Sequence, residues 1–167
     1  MIRTILFATD LGVFTSYVLQ HVVALAGSCK ARVIVVHVVE PLGSFANAMV
    51  KSYLPQASGE ALTTAGVEEM LASIRARVKV VLAQEYMDSQ DDISFIDDIQ
   101  VLQGQPAQVI LEEAGRRQVD LIVMGSHSGK AMDDHTLGSV ANKVLLRAKV
   151  PVYVVPMVRR ADLSSST

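Results

Sequence analysis

The stretch Leu121-Ile122-Val123-Met124-Gly125-Ser126-His127-Ser128-Gly129-Lys130 decides the fold of this chain. Its first four residues are apolar, as in a buried strand, and the next six are mostly small or polar, as in a loop. Gly138-Ser139 then precedes a segment with helical character, residues 140–147. A strand that runs through a glycine-containing loop into a helix is typical of parallel α/β proteins. Such a loop offers backbone N–H groups and a helix N-terminus to an anion.

Four more short apolar segments are predicted to be strands, and helical patterns separate them. These four are Ile5–Ala8, Val33–Val39, Ile99–Leu102 and Val152–Val155, and Leu121–Met124 makes the fifth strand. Apolar residues between Val67 and Leu82 recur at helical spacing, and Pro106 suits the first turn of another helix. The alternation of strands and helices predicts an α/β fold with a twisted, five-stranded parallel sheet and helices on both faces.

Two helices carry more detailed predictions. In the third helix, i,i+4 spacing predicts the ion pairs Glu112–Arg116 and Glu113–Arg117. In the first helix, the apolar stripe is predicted to consist of Tyr17, Val18, His21, Val22 and Leu25. His37, at the end of an apolar strand, is interpreted as a buried histidine with a satisfied hydrogen bond.

Composition favours one globular domain in the cytoplasm. The chain has 167 residues, 50% of them hydrophobic and 19% charged, and the apolar residues fall in short runs. No run reaches the roughly 18 apolar residues of a membrane span, and a net charge of −2 gives no basic field for nucleic acid. A single cysteine, Cys29, excludes an internal disulfide and indicates a reducing compartment. We therefore expect neither nucleic acid nor membrane as a partner.

The domain is expected to span residues 1–158. The polar tail, residues 159–167, is predicted to be disordered. The segment 41–58 is long and lacks clear periodicity, which is typical of a loop or a short extra helix near a ligand. The sequence assigns no role to residues 42–58.

Three loops are expected to meet at the carboxyl ends of the strands, where open parallel sheets bind ligands. They contain Ala8-Thr9-Asp10, Val38-Val39, and the residues from Gly125 to Gly138. A carboxylate there suits ribose or base donors, and a glycine loop suits phosphate, so the pattern favours an adenosine phosphate. Asp10 is alternatively a helix cap, the common role of an aspartate after a strand.

The order of these motifs resembles the universal stress protein family. The resemblance covers roughly residues 2 to 157 and is weak between 42 and 95. It rests on these segments: Ile5–Asp10, Val36–Pro41, Gly104-Gln105-Pro106, Asp120–His127, Gly138-Ser139-Val140 and Val150-Pro151-Val152.

The resemblance implies a Rossmann-like fold of the adenine nucleotide alpha hydrolase-like type, a homodimer paired through the fifth strand, and an adenine nucleotide as ligand. By this resemblance, Asp10 contacts the adenosine from the loop that it shares with Ala8 and Thr9, and Val38 lies beside the adenine. The phosphates are then held by one set of loop residues: Gly125, Ser126, His127, Ser128, Gly129, Lys130, Gly138, Ser139 and Val140. The expected ligand is ATP, or ADP or AMP, bringing Mg²⁺ or Mn²⁺ on its phosphates.

The nucleotide-binding branch of that family carries Gly, two residues, Gly, nine residues, Gly and then Ser or Thr. Gly125 and Gly138-Ser139 keep this spacing, but Ser128 occupies the second glycine position and Gly129 follows one residue late. Either the turn is shifted onto Gly129 or the site has decayed. Lys130 does not complete a Walker A motif, because only three residues separate Gly125 from Gly129 and Ala131 follows the lysine.

The expected function is a nucleotide-binding sensor or regulator in stress adaptation, without a catalytic centre. Two alternatives remain open at this stage: a nucleotide-independent interaction protein on the same fold, and a weak ATP hydrolase or adenylyl-transfer relative. Asp133 is a candidate metal contact through the nucleotide phosphates, or simply a solvated loop residue. The short apolar fifth strand, Val152–Val155, is expected to form the homodimer because an exposed edge of this kind needs cover.

Overall fold

A computed structural model describes residues 1–41, 69, 71–77, 79–80, 83, 93–127 and 137–157. The elements of this part of the chain, in order, are β1 (Thr4–Ala8), α1 (Thr15–Cys29), β2 (Arg32–Val39), α2 (residues 71–77), a 3₁₀ turn (Ile93–Phe95), β3 (Ile96–Gln103), α3 (Pro106–Arg116), β4 (Leu121–Gly125), α4 (Ser139–Arg147) and β5 (Val152–Val155). None of the helices in the described ranges is long and apolar enough to span a membrane. Residues 69, 79–80 and 83 are helical as well, in line with the predicted helix, whereas Val67 and Leu82 lie outside the described residues.

The five strands form one parallel sheet in the order β3-β2-β1-β4-β5, which confirms the predicted α/β architecture. The chain builds outward from β1 through β2 to β3, then returns to place β4 on the other side of β1. The strand order therefore reverses between β1 and β4. At their carboxyl ends, Ala8 and Met124 are register partners.

The core consists of two apolar layers, one on each face of the sheet. Alternate strand residues such as Phe7, Val35 and Val123 pack with α1, while Leu6, Ile34 and Ile122 pack with α3 and α4. Because side chains alternate across a strand, burial on both faces requires the unbroken aliphatic runs seen in the sequence.

The edge strand β3 is longer than predicted and irregular. It begins at Ile96, three residues before the predicted start. The prediction missed this start because the acidic pair Asp97-Asp98 lies inside the strand and interrupts its apolar pattern. Val33 pairs with Ile96 but Ile34 pairs with Asp98, so Asp97 is an extra residue that shifts the register against β2. The carboxylate of Asp97 lies 3.7 Å from the guanidinium of Arg32.

The buried stripe of α1 differs from the prediction. It contains Thr15, Val18, Leu19, Val22 and Ala26. Tyr17 and Val18 are adjacent on the helix and about 100° apart, so a stripe centred on Val18 and Val22 turns Tyr17 outward. Tyr17 is 44% exposed, and its ring meets the ring of His21 edge-on. His21 Nδ1 in turn lies 3.3 Å from the hydroxyl of Tyr153 on β5.

The ion pairs at the end of α3 also differ in part. The Glu113–Arg117 pair is present at 3.7 Å, as predicted. Arg116 instead forms a two-bond fork with Glu113, at 2.8 and 2.6 Å, so the predicted Glu112–Arg116 pair is wrong. The fork satisfies both carboxylate oxygens at i,i+3 spacing, and Glu112 accepts a bond from Gln108 instead.

Asp98 links this helix to β3 and is expected to make stability sensitive to acid. Burial acts to raise the pKa of Asp98, but hydrogen bonds from Gln100, Arg117 and the Ile99 N–H, with the Arg117 charge, hold it below the ordinary 3.8. A depressed folded-state pKa contributes stability above pH 3.8 that is lost as the pH falls below that value.

We therefore expect the free energy of unfolding in urea to fall more steeply for the parent than for Asp98→Asn as the pH is lowered from about 5 to about 3. Asp97→Asn, the same change at the exposed neighbour, serves as the matched control. Parallel pH profiles for the parent and Asp98→Asn would contradict this role.

Candidate functional site

The strand order reverses between β1 and β4, and open parallel sheets take ligands at such a reversal, in the crevice expected at the carboxyl ends of these strands. Helix α1 packs on one face of the sheet and α4 on the other, and each follows one of these two strands. The N-termini of both helices therefore lie at the edge that carries the crevice, and each supplies partial positive charge.

The loop after β1 is fixed by its own side chains. The Thr9 hydroxyl accepts a hydrogen bond from the Leu11 N–H at 3.1 Å and lies 3.2 Å from the Thr15 hydroxyl. Asp10 Oδ1 accepts the Gly12 N–H at 2.9 Å. Leu11 has a φ of 57°, a conformation that costs an L-residue about 1 kcal/mol. Backbone strain of this kind clusters at binding sites.

Asp10 does not cap α1, because the N-cap residue of that helix is Phe14, which makes no side-chain capping bond. The carboxylate closes a turn through one oxygen and is exposed at the end of β1. It is therefore presented at the crevice edge as a charged acceptor, the chemistry that ribose hydroxyls require.

The end of β2 is tied to the same loop. His37 is half-buried, and its Nδ1 lies 2.9 Å from the Thr9 carbonyl oxygen, so the predicted satisfied histidine is confirmed in its bonding. A carbonyl can only accept, so Nδ1 carries the proton. Val38, the next residue, is on the opposite face and packs against the layer that contains Leu6.

Ser126, directly after β4, is hydrogen-bonded to the end of β5 and to the start of α4. Its N–H donates to the Val155 carbonyl and its own carbonyl accepts the Gly138 N–H, both at 2.9 Å. Its hydroxyl accepts the Met157 N–H at 2.9 Å and lies 2.7 Å from Nδ1 of His127. Ser126 as a whole is 7% exposed. The first residues of the loop are thus held between the start of α4 and the end of β5.

Two glycines in this region are required by close approach. A Cβ on Gly138 would lie 2.9 Å from the Ser126 carbonyl oxygen and 3.3 Å from the His127 Cα, although the φ of Gly138, −57°, suits any residue. A Cβ on Gly125 would overlap the methyl group of Met157. The Met157 methyl is the end of a flexible side chain and can move, whereas the tight contacts at Gly138 are with backbone, so a side chain there would displace the loop.

The start of α4 fits an anion. Gly138 is its N-cap and supplies no side-chain acceptor, so among the described residues no capping side chain serves the first-turn N–H groups at Ser139 and Val140. Such groups have no acceptor within the helix. Together with the helix dipole they match the oxygens of a phosphate.

The structure thus brings three of the predicted segments to the same edge of the sheet, and the first of them is Ala8-Thr9-Asp10. Val38 lies at the end of the neighbouring strand β2. The other two segments at this edge are Gly125-Ser126-His127 and Gly138-Ser139-Val140. Ser128, Gly129, Lys130 and Asp133 lie outside the described residues. Within the described ranges, no three His, Cys, Asp or Glu side chains are grouped to hold a metal ion.

Sequence reasoning missed Thr15 and Met157, which contact residues of the site and hold them in place. Thr15 shares its hydroxyl contact with Thr9, and Met157 fills the space beside Gly125. A threonine at a helix start carries a weak signal for such a role. Met157, just beyond the last strand, carries none.

Comparison with known proteins assigns the chain to a family. The model of the universal stress protein family matches residues 1–156. The chain belongs to the universal stress protein family. Family membership supports a role in the stress response.

Curated relatives agree with this assignment. Universal stress protein MJ0577 of Methanocaldococcus jannaschii is 28% identical over 163 residues, 93% of this chain and 95% of the relative. A Thermus aquaticus universal stress protein, encoded in the QAH/OAS sulfhydrylase 3′ region, is 30% identical over 93% of this chain and 99% of the relative. Stress response protein NhaX of Bacillus subtilis is 30% identical over 88 residues, so the chain spans about half, 48%, of that protein.

Solved structures share the fold. The structure of MJ0577 superposes with a TM-score of 0.66 at 23% identity, covering 95% of this chain and 99% of the other. Universal stress protein UspA of Lactobacillus plantarum gives 0.68 at 20% identity, covering 92% and 97%. A universal stress protein in complex with cAMP gives 0.57 at 19% identity, covering 94% and 98%.

Proposed function

We propose that this universal stress protein binds an adenine nucleotide in the crevice between β1 and β4 and acts as a sensor or regulator in stress adaptation. The observation that carries the proposal is the start of α4, where the Gly138 backbone approaches Ser126 and His127 and, in the part of the chain that the structure describes, no side chain caps the first turn. That arrangement suits a phosphate.

The adenosine half of the ligand is assigned to the other side of the crevice. Asp10 is an exposed carboxylate held by the Gly12 N–H, and it suits the donor groups of ribose. Val38 offers an apolar side chain on the next strand, and apolar contact suits an adenine ring. The phosphates and the adenosine are then bound by different elements, so only a ligand with both parts engages the whole site.

ATP, ADP and AMP are the candidate ligands. A universal stress protein with the same fold has been solved in complex with cAMP, also an adenine nucleotide. A triphosphate would bring Mg²⁺ or Mn²⁺ held mainly by its own oxygens, the usual arrangement for magnesium. The residues of this chain would then bind and orient the nucleotide, with no catalytic side chain assigned.

One sequence feature favours a second candidate function. Ser128 occupies a glycine position of the nucleotide-binding pattern, and a decayed site would leave a nucleotide-independent interaction protein on the same fold.

The test is to purify the protein without added nucleotide, denature it and identify the released small molecules. We expect an adenine nucleotide approaching one per chain, or calorimetric binding of ATP, ADP or AMP to the emptied protein. Neither release nor binding would reject the proposal and favour the second candidate. Turnover of ATP above background that disappears in Asp10→Ala would instead indicate an enzyme.

The protein is further proposed to form a homodimer through β5. The Pro151 and Val155 carbonyls accept bonds from β4, so the alternation of a parallel ladder points the backbone groups of Val152 and Val154 to the free edge. An antiparallel pair of these edges is centred on Tyr153, which is 38% exposed. The two copies of Tyr153 are then direct neighbours across a two-fold axis.

A further inference from the structure

We infer that Ser126 is a positioning residue, which binds no ligand itself and couples the end of β5 to the phosphate-binding start of α4. This inference deepens the proposed function and rests on it. The backbone N–H, the carbonyl and the hydroxyl of Ser126 all have protein partners.

Each bond of Ser126 reaches a different part of the structure. The N–H and the hydroxyl hold the Val155 carbonyl and the Met157 N–H, one on each side of Pro156. The carbonyl holds the N–H of Gly138, the N-cap of α4. A single buried residue therefore fixes where the last strand ends and where the anion-binding helix begins.

Packing reinforces these bonds. The methyl group of Met157 fills the space that a side chain on Gly125 would occupy, and the Ser126 carbonyl limits the space at Gly138. A shift of residues 156–157 is therefore transmitted to the peptide after β4, and from there to the first turn of α4. Whatever pairs with the free edge of β5 gains a direct mechanical link to the nucleotide phosphates.

The hydroxyl explains why a serine is needed for this role. It accepts the Met157 N–H and is within hydrogen-bond distance of His127 Nδ1, so one side chain holds both the strand end and the next loop residue. Alanine would keep the backbone bonds but leave the Met157 N–H without its acceptor. Threonine would keep the hydroxyl.

The experiment compares Ser126→Ala, Ser126→Thr and the parent by amide hydrogen exchange without nucleotide and by calorimetry with ATP. We expect the alanine variant to exchange the Met157 amide roughly tenfold faster and to bind ATP roughly tenfold more weakly, the loss typical of one hydrogen bond to a part-buried group. The Gly138 amide should show a smaller rise. The Ile122 amide, at the opposite end of the β4–β5 pair, should be unchanged. Threonine should restore most of both losses.

Ser28→Ala is the matched control, because Ser28 makes one hydrogen bond to the Ala24 carbonyl on an exposed part of α1. It should alter neither readout. Faster exchange at Met157 with unchanged ATP affinity would overturn the inference, as would an equal rise at Ile122. Weaker ATP binding without faster exchange would overturn it too, by making the hydroxyl a direct ligand. If the parent binds no adenine nucleotide, the proposed function fails, and exchange at Met157 and Gly138 alone decides whether Ser126 couples the two elements.

Discussion

Gly138→Val is expected to weaken ATP binding about a hundredfold, or ~3 kcal/mol, while the domain stays folded. The Cβ alone would lie 2.9 Å from the Ser126 carbonyl oxygen and 3.3 Å from the His127 Cα. Backbone cannot rotate away as a side chain can, so the loop after β4 must move. The N–H groups of Ser139 and Val140 then no longer face the phosphates, and the charge-assisted bonds that they would donate are lost. Isothermal calorimetry with ATP measures the loss.

The control for this variant is Gly27→Ala, whose added Cβ meets open space within α1. It should raise stability by about 0.5–1 kcal/mol, because alanine is the better helix former, and leave ATP affinity unchanged. Circular dichroism shows whether Gly138→Val is folded. A folded Gly138→Val protein with the affinity of the parent would place the phosphate site elsewhere.

Tyr153→Lys is expected to convert the proposed homodimer to a monomer. In the antiparallel pairing proposed for β5, the two copies of residue 153 are direct neighbours, so the change sets two positive charges beside each other. Like charges directly opposite on paired strands are destabilising, and lysine is a common guard of free edges. Sedimentation equilibrium should show a parent mass of two chains and a variant mass of one.

Tyr153→Phe is the matched variant, since it keeps the ring and removes only the hydroxyl that lies 3.3 Å from His21. It should remain dimeric. A monomeric parent would reject the pairing through β5, and a dimeric Tyr153→Lys protein would place the interface on another surface.

The parallel sheet could be predicted because its strands are buried on both faces, which leaves continuous aliphatic runs such as Val33-Ile34-Val35-Val36 in the sequence. The start of β3 could not, because an edge strand tolerates the acidic pair Asp97-Asp98 once Arg32 and Arg117 lie opposite. Those partners are distant in sequence, so no local pattern reveals them.

The candidate site could be predicted only as a set of loops at one sheet edge. Glycine spacing pointed to Gly125 and Gly138, and the structure adds the physical reason, the crowding by Met157 and by Ser126 with His127. Ser126 is hydrogen-bonded to Gly138 and Met157, which lie about 12 and 31 positions further along the chain. The order of the strands in the sheet brings these residues together, so no local pattern in the sequence shows the contacts. The predicted α1 stripe is confirmed at Val18 and Val22 but wrong at Tyr17, because an aromatic residue also counts as apolar.

The extra residue in β3 has a consequence for how large an assembly can grow. A sheet with two available edges can add copies without end, as fibrils do. In this molecule, Asp97 interrupts the regular ladder on the outer strand and places an ion pair with Arg32 there, so we expect that side to be poor at accepting another strand. The opposite side, β5, is short and uncharged. With one edge able to pair and the other unable to, we expect the association proposed through β5 to stop at two chains.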